Sequence, residues 1–176
     1  APASGTTFGF GATTVTCHAA DHAGNQADAT TFNVTVQDTT PPVIDAASNL
    51  GPIEATGATG ASVNFTVPAT HDFVDGPGLA SCDAAPHDTF AIGTTTVHCD
   101  ATDAHGNSAQ RSFVVTVVDT TTPVISGTPA NKSAEATGPT GAAVTFAAPT
   151  ASDLVDGAVN VTSDYHSGDV FPLGIT

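Results

Sequence analysis

Carboxylates are the side chains in this sequence best placed to do chemistry. Seventeen aspartates and glutamates stand against only two basic residues, Arg111 and Lys132, which gives a formal net charge of −15 at pH 7. Many of the aspartates fall in turn-rich segments, among them Asp72, Asp75 and Asp103. Grouped hard oxygen ligands are what calcium requires, whereas such a charge repels nucleic acid and anionic lipid. The alternative is that Asp and Asn only cap turns and keep the surface solvated.

Other catalytic and metal-binding patterns are missing from the sequence or are contradicted by it. There is no Gly-x-Ser-x-Gly motif, no Cys–His couple and no Gly-rich phosphate loop before a helix. His18 and His22 have the i, i+4 spacing of zinc-binding helices, but His18 falls on a predicted strand, and the matching residues later in the chain are Asp100 and Ala104. We therefore predict neither an enzyme nor a zinc site on this pair. The other loop histidines are predicted to be solvent-exposed: His71, His87, His105 and His166.

The turn that carries Asp103 lies in a predicted β-hairpin. Before it, Val97, Cys99 and Ala101 alternate with polar residues, which is typical of a strand with one buried face. The turn 103–107 contains Gly and Asn, which favour tight turns. A second strand follows, and Thr-Thr-Thr-Pro ends it because proline cannot donate to a ladder. The inward residues of this second strand are Phe113, Val115 and Val117.

The same pattern occurs earlier in the chain, so the sequence is a tandem repeat. Cys17 and Asp21 recur 82 residues later, and Asp38 recurs 81 residues later as Asp119. We therefore predict three domains. They are the C-terminal half of a repeat at 1–38, a complete repeat at 39–119 and the N-terminal half of a further repeat at 120–176.

Domains cut at these points favour a piece of a longer array. The alternative is a subunit in which residues 1–38 of one chain complete residues 119–176 of another, head to tail, to build a filament. This alternative ranks second because residues 1–13 and 164–176 cover the same part of the repeat, so the two halves would overlap.

The complete repeat is predicted to contain about seven short strands spaced by Gly and Pro turns, with no helical periodicity. This spacing predicts an all-β fold, with tandem Greek-key β-sandwiches arranged as a linear array. The expected features, in chain order, are an edge strand interrupted by Pro52 and ending near residue 56, inward side chains at Val63, Phe65 and Val67, a loop over 69–78, a strand around 79–83, and Phe90 and Ile92 plugging the end of the core.

Seven motifs resemble, in the same order, those of the hyalin repeat family. They are Asp-Thr-Thr-Pro-Pro-Val-Ile, Glu-Ala-Thr-Gly, Gly-Ala-x-Val-x-Phe, a Val-Asp-Gly loop, Phe-Pro-x-Gly, Thr-Val-x-Cys and Ala-x-Asp-x-x-Gly-Asn. Together they run through the whole chain. The resemblance implies an immunoglobulin-like extracellular module with an adhesive or structural role and no catalytic activity.

The three cysteines predict one disulfide within the chain. Cys82 and Cys99 lie in one repeat on neighbouring predicted strands, and a bridge closing a loop of this size adds about 3 kcal/mol. Such a bridge implies an oxidising compartment, so we expect an extracellular or cell-surface location. Cys17 corresponds to Cys99, and its partner is expected just before Ala1. Ser163 occupies the position of Cys82 in the third repeat, which is therefore expected to lack the bridge.

An immunoglobulin-like strand order would gather carboxylates at both ends of the central repeat. Calcium at either junction would offset the charge repulsion and stiffen the linker, an arrangement similar to cadherin-type arrays, although the spacing matches no EF-hand loop. The predicted ligands at the first junction are Asp38, Asp72, Asp75, Asp103 and Asn107. Those at the second junction are Glu54, Asp88, Asp119, Asp153 and Asp156.

Four asparagines match the acceptor pattern for N-glycosylation: Asn33, Asn64, Asn131 and Asn160. This pattern also arises by chance in a Thr-rich chain, so attached sugar is not the default expectation.

Taken together, these features predict a non-catalytic extracellular structural repeat protein that forms a stalk, fibre or filament. The expected partners are copies of itself or adjacent repeats of the same chain, with no nucleic acid, and the identity of any other ligand is not predicted. No membrane insertion is expected, because no apolar run approaches about 18 residues. One alternative is a ligand-binding cell-surface adhesin, although Tyr165 is the single tyrosine and tryptophan is missing. Another is an accessory repeat region of a secreted enzyme.

Overall fold

The structure, a computed structural model, describes residues 5–175. Residues 1–4 and 176, at the outer ends of the predicted first and third repeats, lie outside the described residues. The described residues form strands and turns but no helix, so this part of the chain offers no helix that could span a bilayer. The predicted all-β fold is confirmed.

The described residues contain sixteen strands, numbered here in chain order. They are β1 (Gly11–Cys17), β2 (Thr30–Val36), β3 (Val43–Ile44), β4 (Leu50–Glu54), β5 (Ala61–Ser62), β6 (Ala69–Asp72), β7 (Gly76–Leu79), β8 (Ser81–Cys82), β9 (Thr89–Phe90), β10 (Gly93–Thr102), β11 (Ser108–Val118), β12 (Val124–Ser126), β13 (Ala142–Ala143), β14 (Thr150–Asp153), β15 (Gly157–Val159) and β16 (Val170–Phe171).

The chain divides into two compact units, each made of separate segments. The first unit comprises Ala1–Ala46, Pro68–Ser81 and Cys99–Arg111. The second comprises Ala47–Val67, Cys82–His98 and Ser112–Thr176. The predicted central repeat therefore contributes residues to both units.

The first unit contains a hairpin and a three-stranded sheet. Strands β1 and β2 pair antiparallel, with Val15 opposite Phe32, and Val15 is buried. The sheet has the order β3-β6-β7, with Ile44 opposite Thr70 and both residues buried. Arg111 fastens this sheet, since its Nη1 donates to the Ile44 carbonyl at 2.9 Å.

The second unit holds most of the buried aromatic and branched side chains. Strand β4 runs parallel to β11 at the edge of a sheet with the order β4-β11-β10-β8, which agrees with the edge position predicted from Pro52. The rings of Phe65 and Phe113 meet edge to face with centroids 5.1 Å apart. Val115 and Val117 are among the most deeply buried side chains of the described residues. They alternate with half-buried neighbours, Val114, Thr116 and Val118, which follows the predicted period of two.

The third repeat reproduces the strand pairings of the second. The order β12-β14-β15 matches β3-β6-β7, and the pair β13-β16 matches β5-β9. Two glycines make these pairings possible. Gly60 has a φ of 103° and Gly141 a φ of 112°, and a Cβ at either would collide with the carbonyl oxygen of Phe90 or Phe171, respectively.

The loop predicted over residues 69–78 is instead a β-hairpin. Strands β6 and β7 pair antiparallel from Ala69 opposite Leu79 to Asp72 opposite Gly76. Pro77 and Gly78 are poor strand formers, but β7 is an edge strand, where a proline needs no donor. Pairing with β6 therefore overrides local propensity.

Three other local expectations need correction. The side chains of Val63 and Phe65 are buried as predicted, but only Ala61–Ser62 of that stretch is a strand. The strand expected around 79–83 is interrupted at Ala80, between β7 and β8. Phe90 is buried, but Ile92 is 43% exposed, because the chain bends at Ile92 instead of extending β9.

Candidate cation sites

The β6–β7 turn is built around one carboxylate of Asp72. Its Oδ1 accepts hydrogen bonds from the backbone N–H of Val74 at 2.7 Å and of Asp75 at 2.9 Å. Its Oδ2 is buried and accepts no hydrogen bond. This turn forms locally, because an aspartate readily bonds to the backbone two and three residues ahead, and it leaves one carboxylate oxygen available to another partner.

The β14–β15 turn repeats this arrangement 81 residues later. Asp153 Oδ1 accepts from the backbone N–H of Val155 at 2.7 Å and of Asp156 at 3.1 Å. Asp153 Oδ2 is again buried without a hydrogen-bond partner. The same local sequence thus produces the same unsatisfied oxygen twice.

Each linker between predicted repeats begins with an aspartate that caps its own turn. Asp38 Oδ1 accepts from the backbone N–H of Thr40 at 3.1 Å, and Asp119 Oδ1 accepts from that of Thr121 at 3.2 Å. The Asp38 side chain is only 3% exposed, and its Oδ2 is buried without a hydrogen-bond partner.

The turn between β10 and β11 is held by Asp103. Its Oδ1 accepts from the backbone N–H of His105 at 2.9 Å and of Asn107 at 2.8 Å, while its Oδ2 accepts from Asn107 Nδ2 at 2.7 Å. Burial raises the pKa of Asp103, but the hydrogen bonds from Asn107 and the neighbouring backbone outweigh it and lower the pKa below its usual value. Asn107 Nδ2 also lies 3.4 Å from the Asp38 carbonyl oxygen, so the Asn107 amide nitrogen ties the first linker to this turn.

These residues converge in the first unit to form what we name the first acidic cluster: Asp38, Asp72, Asp75, Asp103 and His105. Asp38, Asp72 and Asp103 each offer a carboxylate oxygen, and the three oxygens lie within 4.8 Å of one another. Asp38, Asp75 and His105 form a second set of three within the same distance. Four of the five ligands predicted for the first junction are therefore brought together, and Asn107 contributes hydrogen bonds at its margin.

His105 is the member of the first acidic cluster that was missing from the sequence prediction. Its side chain is 33% exposed, and its Nδ1 lies 3.1 Å from Asp75 Oδ2 and 3.6 Å from Asp38 Oδ2. The pKa of His105 is raised, chiefly because the Asp75 carboxylate accepts a hydrogen bond from the ring; burial opposes this shift, and the nearby carboxylates add to it. The Phe10 ring lies against the imidazole with a centroid distance of 4.9 Å. Its position inside the Asp103–Asn107 turn was the available clue.

A smaller group in the second unit, the second acidic cluster, consists of Asp119, Asp153 and Asp156. One carboxylate oxygen from each lies within 4.8 Å of the other two. Two of the five residues predicted for the second junction bind elsewhere. Asp88 Oδ2 accepts from the backbone N–H of Ala85 at 2.7 Å, which caps a turn.

Glu54, the other residue predicted for the second junction that is not in the second acidic cluster, accepts hydrogen bonds from the linker instead. Its Oε1 accepts from the backbone N–H of Thr120 at 2.8 Å, and its Oε2 accepts from the Thr120 hydroxyl at 2.7 Å. The Thr121 backbone N–H and hydroxyl also donate to Oε1, at 3.1 and 2.8 Å. The Thr120 backbone bond is the largest cause of a lowered Glu54 pKa, followed by the two hydroxyl bonds.

Comparison with known proteins places the chain in a family. The HYR domain family model matches residues 1–36, 37–117 and 118–176. The chain belongs to the HYR domain family. It is 37% identical over 181 residues to Hyalin of Strongylocentrotus purpuratus, covering 99% of this chain and 15% of that protein. It is 38% identical over 179 residues to Hyalin of Lytechinus variegatus, covering 98% of this chain and 34% of that protein. The chain thus spans much less than half the length of these relatives, and the resemblance found in the motifs is confirmed.

The cysteines of these HYR repeats differ in state. Cys82 and Cys99 are disulfide-bonded, whereas Cys17 is free and exposed. Ser163, at the position of Cys82 in the third repeat, donates its hydroxyl to the Tyr165 carbonyl at 2.7 Å. The disulfide therefore lies in the central HYR repeat.

The asparagines that match the glycosylation pattern are all exposed: Asn33, Asn64, Asn131 and Asn160. Asn33 Oδ1 accepts from the Thr14 hydroxyl at 2.8 Å on the outer face of the β1–β2 hairpin. Exposure leaves all four accessible, and their modification stays a prediction.

Proposed function

We propose that these HYR repeats act as non-catalytic structural modules of an extracellular stalk, fibre or filament, and that calcium stiffens the junctions between them. The observation that carries this proposal is the placement of three oxygens. Across residues 5–175, the buried side-chain oxygens without a hydrogen-bond partner are Oδ2 of Asp38, Asp72 and Asp153. All three belong to the two acidic clusters.

Buried oxygens of this kind call for a partner. A buried polar atom is nearly always hydrogen-bonded, and an exception commonly marks an ordered water or ion. The two basic residues do not supply the missing charge. Arg111 donates to the Ile44 carbonyl, Lys132 is exposed, and every ion pair across residues 5–175 joins an aspartate to a histidine. A divalent cation bound by three carboxylates would offset their mutual repulsion.

The position of the clusters supports a mechanical role for such an ion. Asp38 and Asp119 each begin a linker, whereas Asp72 and Asp153 belong to the repeat that follows it. One ion bound to both aspartates of either pair would hold the linker against the next repeat, and the two prolines after Asp38 already limit its freedom. The extracellular location is supported by the disulfide, which persists in oxidising compartments.

Thermal unfolding with and without calcium tests the proposal. Extracellular calcium modules bind with dissociation constants of about 10⁻⁴–10⁻³ M. At calcium tenfold above that constant, each site should stabilise its unit by about 1.4 kcal/mol. We expect millimolar calcium to raise the unfolding midpoint of the 176-residue chain above its value in chelator. Magnesium at the same concentration should raise it less, because it needs stricter octahedral geometry.

The matched variants assign the effect to the clusters. Asp72→Asn combined with Asp153→Asn removes one charge from each cluster, and we expect it to abolish most of the calcium response. Asp88→Asn, combined with Asp169→Asn, removes the same charge from carboxylates outside both clusters and should leave the response intact. A wild-type midpoint that calcium does not move would overturn the calcium proposal and leave the aspartates as turn formers.

The filament part of the proposal has its own measurement. Electron microscopy of a longer array of these repeats should show a beaded rod that is straighter in calcium than in chelator. A compact globule in both conditions would contradict it.

A further inference from the structure

Each acidic cluster contains the first aspartate of a linker and the aspartate of a β-hairpin turn, but the two clusters differ in the side chains that could bind a metal. The second acidic cluster consists of carboxylates alone, whereas the first also contains the imidazole of His105. The turn does not require a histidine there. In the β1–β2 hairpin the corresponding residue is Ala23, whose backbone N–H donates to Asp21 at 2.9 Å, as that of His105 donates to Asp103 at 2.9 Å. The imidazole is therefore an addition to the first cluster and not part of its scaffold.

The imidazole is aimed at two carboxylates. His105 Nδ1 lies 3.1 Å from Asp75 Oδ2 and 3.6 Å from Asp38 Oδ2. The Asp38 side chain is 3% exposed, and its Oδ2 has no hydrogen-bond partner although it faces this group. Ligand atoms around a tetrahedral zinc, bound at about 2.0–2.1 Å, lie about 3.4 Å apart. The His105–aspartate separations bracket that value without any rearrangement of the turn.

We propose that Asp38, Asp75 and His105 form a site for a divalent transition-metal ion of the Zn²⁺ class. This inference rests on the proposed cation-binding role of the first acidic cluster. Imidazole nitrogen favours zinc and similar ions, whereas calcium takes oxygen ligands. Three protein ligands and one water complete a four-coordinate site. Asp38 belongs both to this set and to the all-oxygen set with Asp72 and Asp103, so the two ions meet at one carboxylate.

An ordinary ion pair is the alternative explanation of the His105 geometry, and the molecule contains a suitable reference. His71 Nε2 lies 3.3 Å from Asp45 Oδ2, also in the first unit. Among residues 5–175, however, this pair does not belong to any group of three side chains that could hold a metal ion. His71→Ala is therefore a matched control for His105→Ala, because each variant removes one partly exposed histidine that pairs with an aspartate.

Calorimetric titration of the full chain with Zn²⁺, near neutral pH in calcium-free buffer, tests the site. We expect the wild type and His71→Ala to bind one Zn²⁺ with similar affinity. His105→Ala should bind it at least about tenfold more weakly, because loss of a direct ligand costs at least as much as loss of a residue supporting one. In the wild type, Zn²⁺ should also shift the Nδ1 resonance of His105 in nitrogen NMR spectra. Equal zinc affinity in all three proteins, or an unmoved Nδ1 resonance, would show that His105 is only an ion-pair partner.

Two further variants separate this site from calcium binding. Asp75→Asn should weaken Zn²⁺ binding and leave the calcium response of the unfolding midpoint unchanged, whereas Asp72→Asn should do the reverse in the first unit. Zinc binding that survives in a chain without any calcium response would overturn the calcium proposal alone. If the wild type binds no zinc while His105→Ala keeps its calcium response, the zinc site alone is overturned.

Discussion

The β1–β2 and β10–β11 hairpins have nearly the same turn, but only one turn takes part in a cluster. In the first hairpin, Asp21 Oδ1 accepts from the backbone N–H of Asn25 at 2.8 Å, and Asp21 Oδ2 accepts from Asn25 Nδ2 at 2.7 Å. The corresponding bonds of Asp103 and Asn107 measure 2.8 and 2.7 Å.

What differs is the surroundings of the two turns. Asp103 lies beside Asp38 and Asp72 in the first acidic cluster, whereas the bonds of Asp21 described above all stay within its own turn. The Asp-x-x-x-Asn sequence is thus sufficient for the turn and insufficient for the site. A cation site depends on which other chain segments approach the turn.

The largest expected difference between the hairpins comes from their equivalent cysteines. Cys99→Ser should lower the free energy of unfolding of the central repeat by about 3 kcal/mol, because the disulfide constrains the unfolded chain. Cys17→Ser, at the equivalent position of the β1–β2 hairpin, should change the free energy of unfolding of its own repeat by less than about 0.5 kcal/mol, since Cys17 is free and exposed. Denaturant unfolding of both variants measures the two values. Similar losses in the two variants would contradict the comparison.

A smaller difference should separate the two turn aspartates. Asp21→Asn and Asp103→Asn each replace the oxygen that accepts from the asparagine side chain with a donor, so both should lower the unfolding midpoint in chelator by similar amounts. In calcium only Asp103→Asn should also lose part of the stabilisation, because only Asp103 offers an oxygen to a cluster. A calcium response reduced equally by both substitutions would show that the clusters do not set it.

The smallest expected effect is the response of these carboxylates to acid. The pKa of Glu54 is lowered, chiefly by the Thr120 backbone bond, and that of Asp21 is lowered chiefly by the Asn25 side chain. A carboxyl group with a lowered folded-state pKa stabilises the fold above its unfolded pKa and loses that contribution as pH falls through the folded value. The thermal unfolding midpoint in chelator should therefore decrease once the pH is lowered below about 4. Glu54→Gln should have a lower midpoint than wild type at neutral pH and a shallower acid decline, and an identical decline would count against the Glu54 contacts.

Much of the fold was predictable because it depends on local patterns. Alternation placed Val97, Val115 and Val117 inside, and the repeat period anticipated that β12–β16 would copy the pairings of the central repeat. The prediction failed where the observed pairing or backbone bend went against the preferences of the individual residues. The 69–78 segment became a hairpin because β6 offered its Pro-containing neighbour an edge to pair with. Ile92 was expected to plug the end of the core beside Phe90, but it lies at a bend and its side chain is exposed.

The candidate sites divide in the same way. The carboxylates that cap their own turns, Asp38, Asp72, Asp103, Asp119 and Asp153, could be recognised from residue type and spacing. The sequence did not indicate that Glu54 would hold Thr120 and Thr121 or that Asp88 would cap Ala85. It also did not place His105 against Asp75, because that contact joins residues 30 positions apart.

Residue order by itself determined that this chain is an all-β tandem repeat with acidic turns and a cysteine pair in its central repeat, because these properties depend on periodicity and on hydrogen bonds spanning two to four residues. Only the tertiary structure decided which carboxylates meet, which of their oxygens are buried without a donor and which cluster includes a histidine. Those outcomes depend on strand pairing between distant segments, and no local pattern in the sequence specifies it.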